Sequence, residues 1–258
     1  KLSKGSLIYR FVKYFEKFIY KESDGVTCVA RPMSDYISNI SGRTDVCVVY
    51  NGVTNLYTSK TIRLSAKFQR EDFIFCYAGN LGYAQGMQHI LRVFIKFQQH
   101  YKGDNFKLHI IGEGPEKNLL ENEAKKSKIK DSIIFFGSLS KDQTFKYLEN
   151  SDILLIPLIK SDVFKFTIPS KVFDYLHIGK PIIATIQGEG KEILSLSKGN
   201  IITNLEDPSL LLNSFKKMYE NYELYESDAE FNKEISTNYS REESNKVFFK
   251  YLESLPDK

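Results

Sequence analysis

The sequence predicts an α/β fold: a Rossmann-like parallel sheet with helices on both faces, preceded by part of another α/β unit. Three observations carry this. From residue 73 onward, short runs rich in Ile, Phe and Leu alternate with segments whose apolar residues recur every three or four positions. The runs are continuously apolar, as strands covered on both faces require. The segment after each begins at a glycine or proline, with Gly79, Gly112, Gly137 and Pro157 as the clearest markers.

Residues 1–58 read differently. Leu7, Ile8, Phe11, Val12, Phe15, Phe18 and Ile19 make the apolar stripe of a helix over about residues 6–22. A strand from Gly25 to Ala30, a helix from Pro32 and a strand from Val46 to Val49 follow. This is too little for an independent domain, and it reads as the end of a preceding α/β domain whose front is absent; the sequence does not open on Met. Asn51-Gly52 is a turn signal, and the polar stretch 59–71 reads as a linker. The expected strands are Phe73–Ala78, Lys107–Ile111, Ser132–Phe136, Ile153–Pro157, Pro181–Thr185 and Asn200–Thr203. Between them, Met87, Ile90, Leu91, Phe94 and Phe97 form one helical stripe, and Val172, Phe173, Leu176 and Ile178 another. From Pro208 the chain reads as helical, with a last helix over residues 240–255. The expected division is 1–58, linker 59–71, main domain 72–238 and terminal helix 239–258.

With 258 residues, 42% hydrophobic and 26% charged, the chain can bury a sizeable core, which excludes a disordered or fibrous class. No apolar stretch reaches the roughly 18–20 residues that span a bilayer. Lys and Arg exceed Asp and Glu by 36 to 32, well short of a dedicated nucleic-acid binder. Cys28, Cys47 and Cys76 are odd in number and lie in separate strand-like contexts, so they read as reduced, buried thiols. His89, His100, His109 and His177 fall in separate elements without ligand spacing, and no metal site is expected. The first helix also carries Arg10, Lys13, Lys17 and Lys21, which leaves two readings of its aromatic face. Packing against its own sheet is favoured, and lying on an anionic membrane surface is the alternative.

In an open parallel sheet, ligands bind beyond the carboxyl ends of the strands. The loop from Gly79 to Gly86 joins a strand to a helix with the spacing GxxGxxxG, not the GxGxxG that seats a dinucleotide, so no nicotinamide or flavin cofactor is expected. It still lets backbone amides approach a phosphate. A second loop, Thr167-Ile168-Pro169-Ser170-Lys171, opens a helix with a hydroxyl and a cation, and Asp174 follows about one turn in. That spacing suits a diphosphate-and-ribose clamp: Ser170 and first-turn amides on phosphate oxygens, Lys171 neutralising charge, Asp174 accepting ribose hydroxyls. It equally suits an ordinary helix start with a solvated lysine.

In order along the chain, YAGNLGYAQGM, IIGEGPEKNLL, FFGSLSKDQTFKYLENSDILLIPL, PSKVFDYLHIGKPIIAT and GEGKEIL resemble the carboxyl-terminal half of family 4 glycosyltransferases, in particular the bacterial branch that builds capsule, O-antigen or exopolysaccharide. ESDGVTCVARPMSDYI followed by VVYNGV is similar to the end of that family's amino-terminal domain. The resemblance implies a GT-B architecture, with a nucleotide-sugar donor in the carboxyl-terminal domain and an acceptor in the other. It implies transfer with retention, usually without a metal, in which the departing nucleotide diphosphate helps guide the attacking hydroxyl.

Asp174 matches the second carboxylate of the family's E-x7-E motif, expected on the ribose, whereas the first falls at Phe166. Where the glycine loop commonly carries Arg and Lys on the diphosphate, this sequence has Asn80 and Gln85, with Gly82 between them. Lys171, in a PSK sequence, is then the best remaining cation. Gly137, Ser138 and Leu139 match the loop whose backbone reads the base. Glu189 and Glu192 fall in the loop that faces the donor sugar in relatives, or are exposed helix-start charges. His177 reads as packing variation. The last helix, with Val247, Phe248, Tyr251 and Leu252, resembles the one that crosses back to the first domain.

The expected function is therefore a retaining glycosyltransferase, with Lys171 and Asp174 as the principal site residues and a nucleotide-diphosphate sugar as donor substrate, without a cofactor. The expected acceptor is a glycan or a polyprenyl-linked glycan, at the cytoplasmic face of the membrane with peripheral contact to it. With most of the acceptor domain absent, this chain is expected to bind nucleotide and transfer little or no sugar. The alternatives are a nucleotide-sugar 2-epimerase of the same architecture and a non-catalytic nucleotide-sugar-binding subunit.

Overall fold

A computed structural model describes residues 5–53, 72–101 and 105–256 of the chain. The expected linker 59–71 lies outside the described residues.

The first helix, α1 (Leu7–Glu22), is capped by Ser6, whose hydroxyl accepts from the Tyr9 amide at 3.2 Å. Strands β1 (Thr27–Cys28) and β2 (Cys47–Val48) pair in parallel and are connected through α2 (Arg31–Ser41). The helix α2 starts with proline in its first turn and stops at Gly42, which takes the left-handed conformation (φ +78°) that a side chain disfavours. Val26, Cys28 and Ile37 form a small core, against which Tyr20 of α1 packs.

The expectation that α1 buries its aromatic face fails. None of its residues is buried, and Leu7 is 82% and Phe11 68% exposed. The physical reason is area: two strands of two residues each offer no face wide enough to cover a four-turn helix.

The main sheet follows the expected alternation. In chain order come β3 (Phe73–Ala78), α3 (Met87–His100), β4 (Phe106–Ile111), α4 (Lys117–Lys126), β5 (Ile133–Gly137), α5 (Lys141–Glu149), β6 (Ile153–Ile156), α6 (Lys171–Ile178), β7 (Ile182–Ala184), α7 (Gly188–Leu194) and β8 (Asn200–Ile202). The six strands lie in the order β5-β4-β3-β6-β7-β8, and every neighbouring pair is parallel. Phe75 and Tyr77 of β3 join Met87, Ile90, Phe94 and Leu120 on one face, while Cys76 and Ala78 join Val172, Phe173 and Leu176 on the other. Helices on both faces are why the strands read as unbroken apolar runs. Cys28 and Cys76 are buried, Cys47 is partly so, and all three are free thiols.

Helices α8 (Pro208–Glu220), α9 (Tyr222–Ala229), α10 (Phe231–Thr237) and α11 (Arg241–Glu253) complete the chain. Ser240 caps α11 and bridges in parallel to Val53, with the Arg241 amide donating to the Val53 carbonyl at 2.9 Å. The Tyr251 hydroxyl accepts from the Val26 amide at 2.8 Å, and a side chain on Gly25 would stand 2.9 Å from that hydroxyl. The last helix thus packs on the first α/β unit.

Candidate functional site

Strand order reverses between β3 and β6, and at such a switch point the loops diverge and leave a crevice. Here the loops after β3, β4 and β5, with the start of α6, enclose a pocket of about 650 Å³. This is the size of a small-molecule cavity.

Backbone bonds join the three loops. The Gly79 amide donates to the Ile111 carbonyl (2.9 Å), the Gly112 amide to the Gly137 carbonyl (2.8 Å) and the Leu81 amide to the Glu113 carbonyl (2.8 Å). The approach is so close that a Cβ on Gly112, at φ +133°, would lie 1.9 Å from the Gly79 carbonyl oxygen. The GEGP glycines therefore serve loop-to-loop packing.

Of the residues singled out in the sequence, Asn80, Gln85, Ser138, Leu139, Ser170, Lys171 and Asp174 line this pocket together. Gly82 does not line it; a Cβ there would touch the Asn80 and Gln85 side chains at 3.1 and 3.2 Å. Gln85 accepts from the Gly82 amide at 3.2 Å, so it closes its own turn. Gly137 (φ +72°) ends β5 and does not line the pocket either.

Ser170 opens α6 without capping it through its side chain, and Lys171 follows as the first helical residue. The Lys171 Nζ is shielded from solvent and has no hydrogen-bond partner among the described residues. It sits 4.0 Å from the centre of the Tyr77 ring, and a Cβ on Gly79 would come within 2.8 Å of it. Burial pushes its pKa down to about 7. Asp174 is half-buried one turn on; burial raises its carboxyl pKa, opposed first by the positive charge of Lys141 and then by His177 and Arg241.

Lys141, at the first position of α5, also lines the pocket. Sequence reasoning missed it because Ser140 and Gln143 form a capping box there, so the region reads as an ordinary helix start. The signal that would have found it is a cation directly after the loop already assigned to the base.

Neither Glu189 nor Glu192, expected to face the donor sugar or to be exposed helix-start charges, lines this pocket. Glu192 is exposed, as the alternative reading of it required, with its carboxylate 3.9 Å from the Arg31 guanidinium. Glu189 is not an exposed charge. It is only 1% exposed and accepts from the Arg31 amide (2.6 Å), Arg31 Nε (2.5 Å) and the Tyr50 hydroxyl (2.5 Å).

A shielded ammonium without a hydrogen-bonding partner, a helix start and amide side chains around one cavity suit a polyanion, and the half-buried Asp174 suits hydroxyl groups beside it. Residues 59–235 match the family described as glycosyl transferases group 1. The alpha-monoglucosyldiacylglycerol synthase of Streptococcus pneumoniae is 24% identical over 60% of this chain and 37% of its own length. The probable glycosyltransferase WbjE of Pseudomonas aeruginosa is 25% identical over 74% of this chain and 48% of its own. The chain thus spans less than half the length of these two relatives. Among solved structures, Anabaena HepE in complex with UDP superposes with a TM-score of 0.80 at 15% identity, covering 98% of this chain and 70% of HepE. The α/β architecture, a parallel sheet flanked by helices, is that of GT-B glycosyltransferases. By its sequence match and its fold, this chain belongs to the group 1 glycosyl transferases.

Proposed function

We propose that the pocket binds a nucleotide-diphosphate sugar and that the whole protein is a retaining glycosyltransferase. It would move a hexose or N-acetylhexosamine to a glycan or polyprenyl-linked acceptor in surface polysaccharide synthesis, at the cytoplasmic membrane face. The observation that carries this reading is the Lys171 ammonium, held in the pocket wall without a hydrogen-bond acceptor among the described residues and one turn from Asp174. The diphosphate lies against Lys171, Ser170 and the start of α6, with Lys141 as a second cation. The ribose hydroxyls meet Asp174, and the base meets Ser138 and Leu139. Charge that develops on the departing diphosphate is then stabilised by groups already in place, which is electrostatic catalysis without a covalent nucleophile.

The relatives support the direction of this reading. One is a probable glycosyltransferase, one a glycolipid synthase, and HepE was crystallised with UDP. No helix among the described residues is long and apolar enough to cross a membrane; the contact proposed with a lipid-linked acceptor is peripheral.

The test is calorimetric titration of the chain with UDP, GDP and dTDP. One of them is expected to bind, and Lys171→Met and Asp174→Asn each to weaken it about tenfold or more. In the full-length protein both substitutions are expected to collapse sugar transfer. Absence of binding by all three nucleotides overturns the reading; binding without turnover in any form of the protein leaves a nucleotide-sugar-binding subunit.

A further inference from the structure

Tyr77 opens the run YAGNLGYAQGM, yet it does not line the pocket. Two walls of the pocket nevertheless meet on it. Its ring face lies against the Lys171 ammonium, 4.0 Å from centroid to Nζ. Its hydroxyl donates to the Asn80 carbonyl at 2.6 Å. Lys171 comes from α6 and Asn80 from the glycine loop, so one fully buried side chain sets the cation and the loop against each other.

An aromatic face attracts an ammonium but accepts no conventional hydrogen bond from it. The lysine is therefore held in one place while its N–H donors await an acceptor, and Nζ has no hydrogen-bond partner among the described residues. A lysine left in water would surrender rotamer freedom when it met a ligand; a stacked one has already done so. The space it occupies exists because Gly79 has no side chain.

We propose that Tyr77 is a positioning residue of the donor site: its ring presets the Lys171 ammonium and its hydroxyl presets the glycine loop, so that a diphosphate meets both already in place. This rests on reading the pocket as a nucleotide-diphosphate site. A role in packing alone is the competing account, since Tyr77 also sits in the cluster with Phe75 and Phe94. The two differ in what they do to ligand class. Packing is indifferent to phosphates, whereas presetting Lys171 matters only for a ligand that carries them.

The experiment titrates the full chain with whichever of UDP, GDP and dTDP the wild type binds and with the matching nucleoside (UDP and uridine for a uridine site), in the wild type, Tyr77→Leu, Tyr77→Phe, Lys171→Met and the Tyr77→Leu/Lys171→Met double variant. Tyr77→Leu is expected to weaken the diphosphate about tenfold while changing the nucleoside less than about twofold. Tyr77→Phe keeps the ring and loses the tether to Asn80, with an expected loss for the diphosphate of about threefold. In the Lys171→Met background, Tyr77→Leu is expected to add less than about twofold, because the group it positions has gone. Multiplicative effects in the double variant, or equal loss for nucleoside and diphosphate, overturn the proposal. Should Tyr77→Leu fail to fold, NMR of the wild type with carbon-13-labelled lysine decides: ring-current-shifted ε-methylene signals that vanish in Lys171→Met support it, and unshifted signals overturn it. Failure of the wild type to bind any of UDP, GDP or dTDP instead removes the donor-site reading and this one with it, so the two failures are distinct.

Discussion

Arg31 and Glu189, 158 residues apart in the chain, are joined twice: the Glu189 carboxylate accepts the Arg31 backbone amide at 2.6 Å and its Nε at 2.5 Å. The Tyr50 hydroxyl completes the set, and the Tyr50 ring packs edge-on against Phe173 and Tyr239. One buried carboxylate thus ties the small β1–β2 unit to α7 of the main sheet.

Breaking that tie has an asymmetric cost. Glu189→Ala leaves a backbone amide and a tyrosine hydroxyl without their acceptor, and is expected to destabilise the chain by about 2–4 kcal/mol. Arg31→Ala keeps the backbone and Tyr50 bonds but leaves the buried carboxylate without its close cation; because the guanidinium is itself 60% exposed, the cost is expected to be smaller, about 1–2 kcal/mol. Urea denaturation of both variants checks the ranking, and equal costs would contradict it.

Lys171→Met is expected to act in opposite directions on stability and binding. Without ligand the shielded ammonium is a desolvated charge lacking a hydrogen-bond partner among the described residues, so replacing it with an apolar side chain of similar length raises stability by about 1–2 kcal/mol. Thermal unfolding with and without UDP shows whether the variant gains stability alone and loses the ligand-induced shift.

The pH dependence follows from the same group. Its folded-state pKa, about 7, lies below the ordinary lysine value of 10.5, so between those limits the unfolded chain holds the extra proton. The penalty is therefore fully present below about pH 7 and relieved as the pH rises toward about 10. Lys171 is expected to make stability increase across that window, and Lys171→Met to remove this contribution. A diphosphate beside the amine favours its charged form, so UDP binding at about pH 8 is expected to take up a proton. Calorimetry in buffers of different ionisation enthalpy measures that uptake, and zero uptake would contradict it.

Gly112→Ala tests the joining of the loops. Its Cβ would meet the Gly79 carbonyl oxygen at 1.9 Å from a backbone at φ +133°, and a cost of about 3 kcal/mol or more is expected, with nucleotide binding lost. Gly5→Ala, with nothing within 4 Å, is the matched control and is expected to leave both unchanged.

The strands of the main sheet were legible because burial on both faces writes itself into composition: FIFCYA and ILLI are apolar throughout, and glycines such as Gly79 and Gly137 punctuate strand ends. The ordered motifs pointed to the glycosyltransferases for a similar reason, since glycines and PSK mark local backbone conformations at fixed intervals along the chain. The face that α1 would bury was not legible, because an amphipathic stripe states that a helix has an apolar side and not whether anything covers it.

By itself the sequence determined the α/β class, the positions of the sheet's strands, and Ser170, Lys171 and Asp174 as residues to watch. Only the tertiary structure decided that Lys171 rests on Tyr77, that Lys141 faces Asp174's pocket and that Glu189 answers to Arg31 and Tyr50. Periodicity and turn chemistry act between residues a few positions apart, and one sequence records them. Desolvation and charge pairing act across space, and they become definite only when the folded backbone brings distant side chains within a few ångströms.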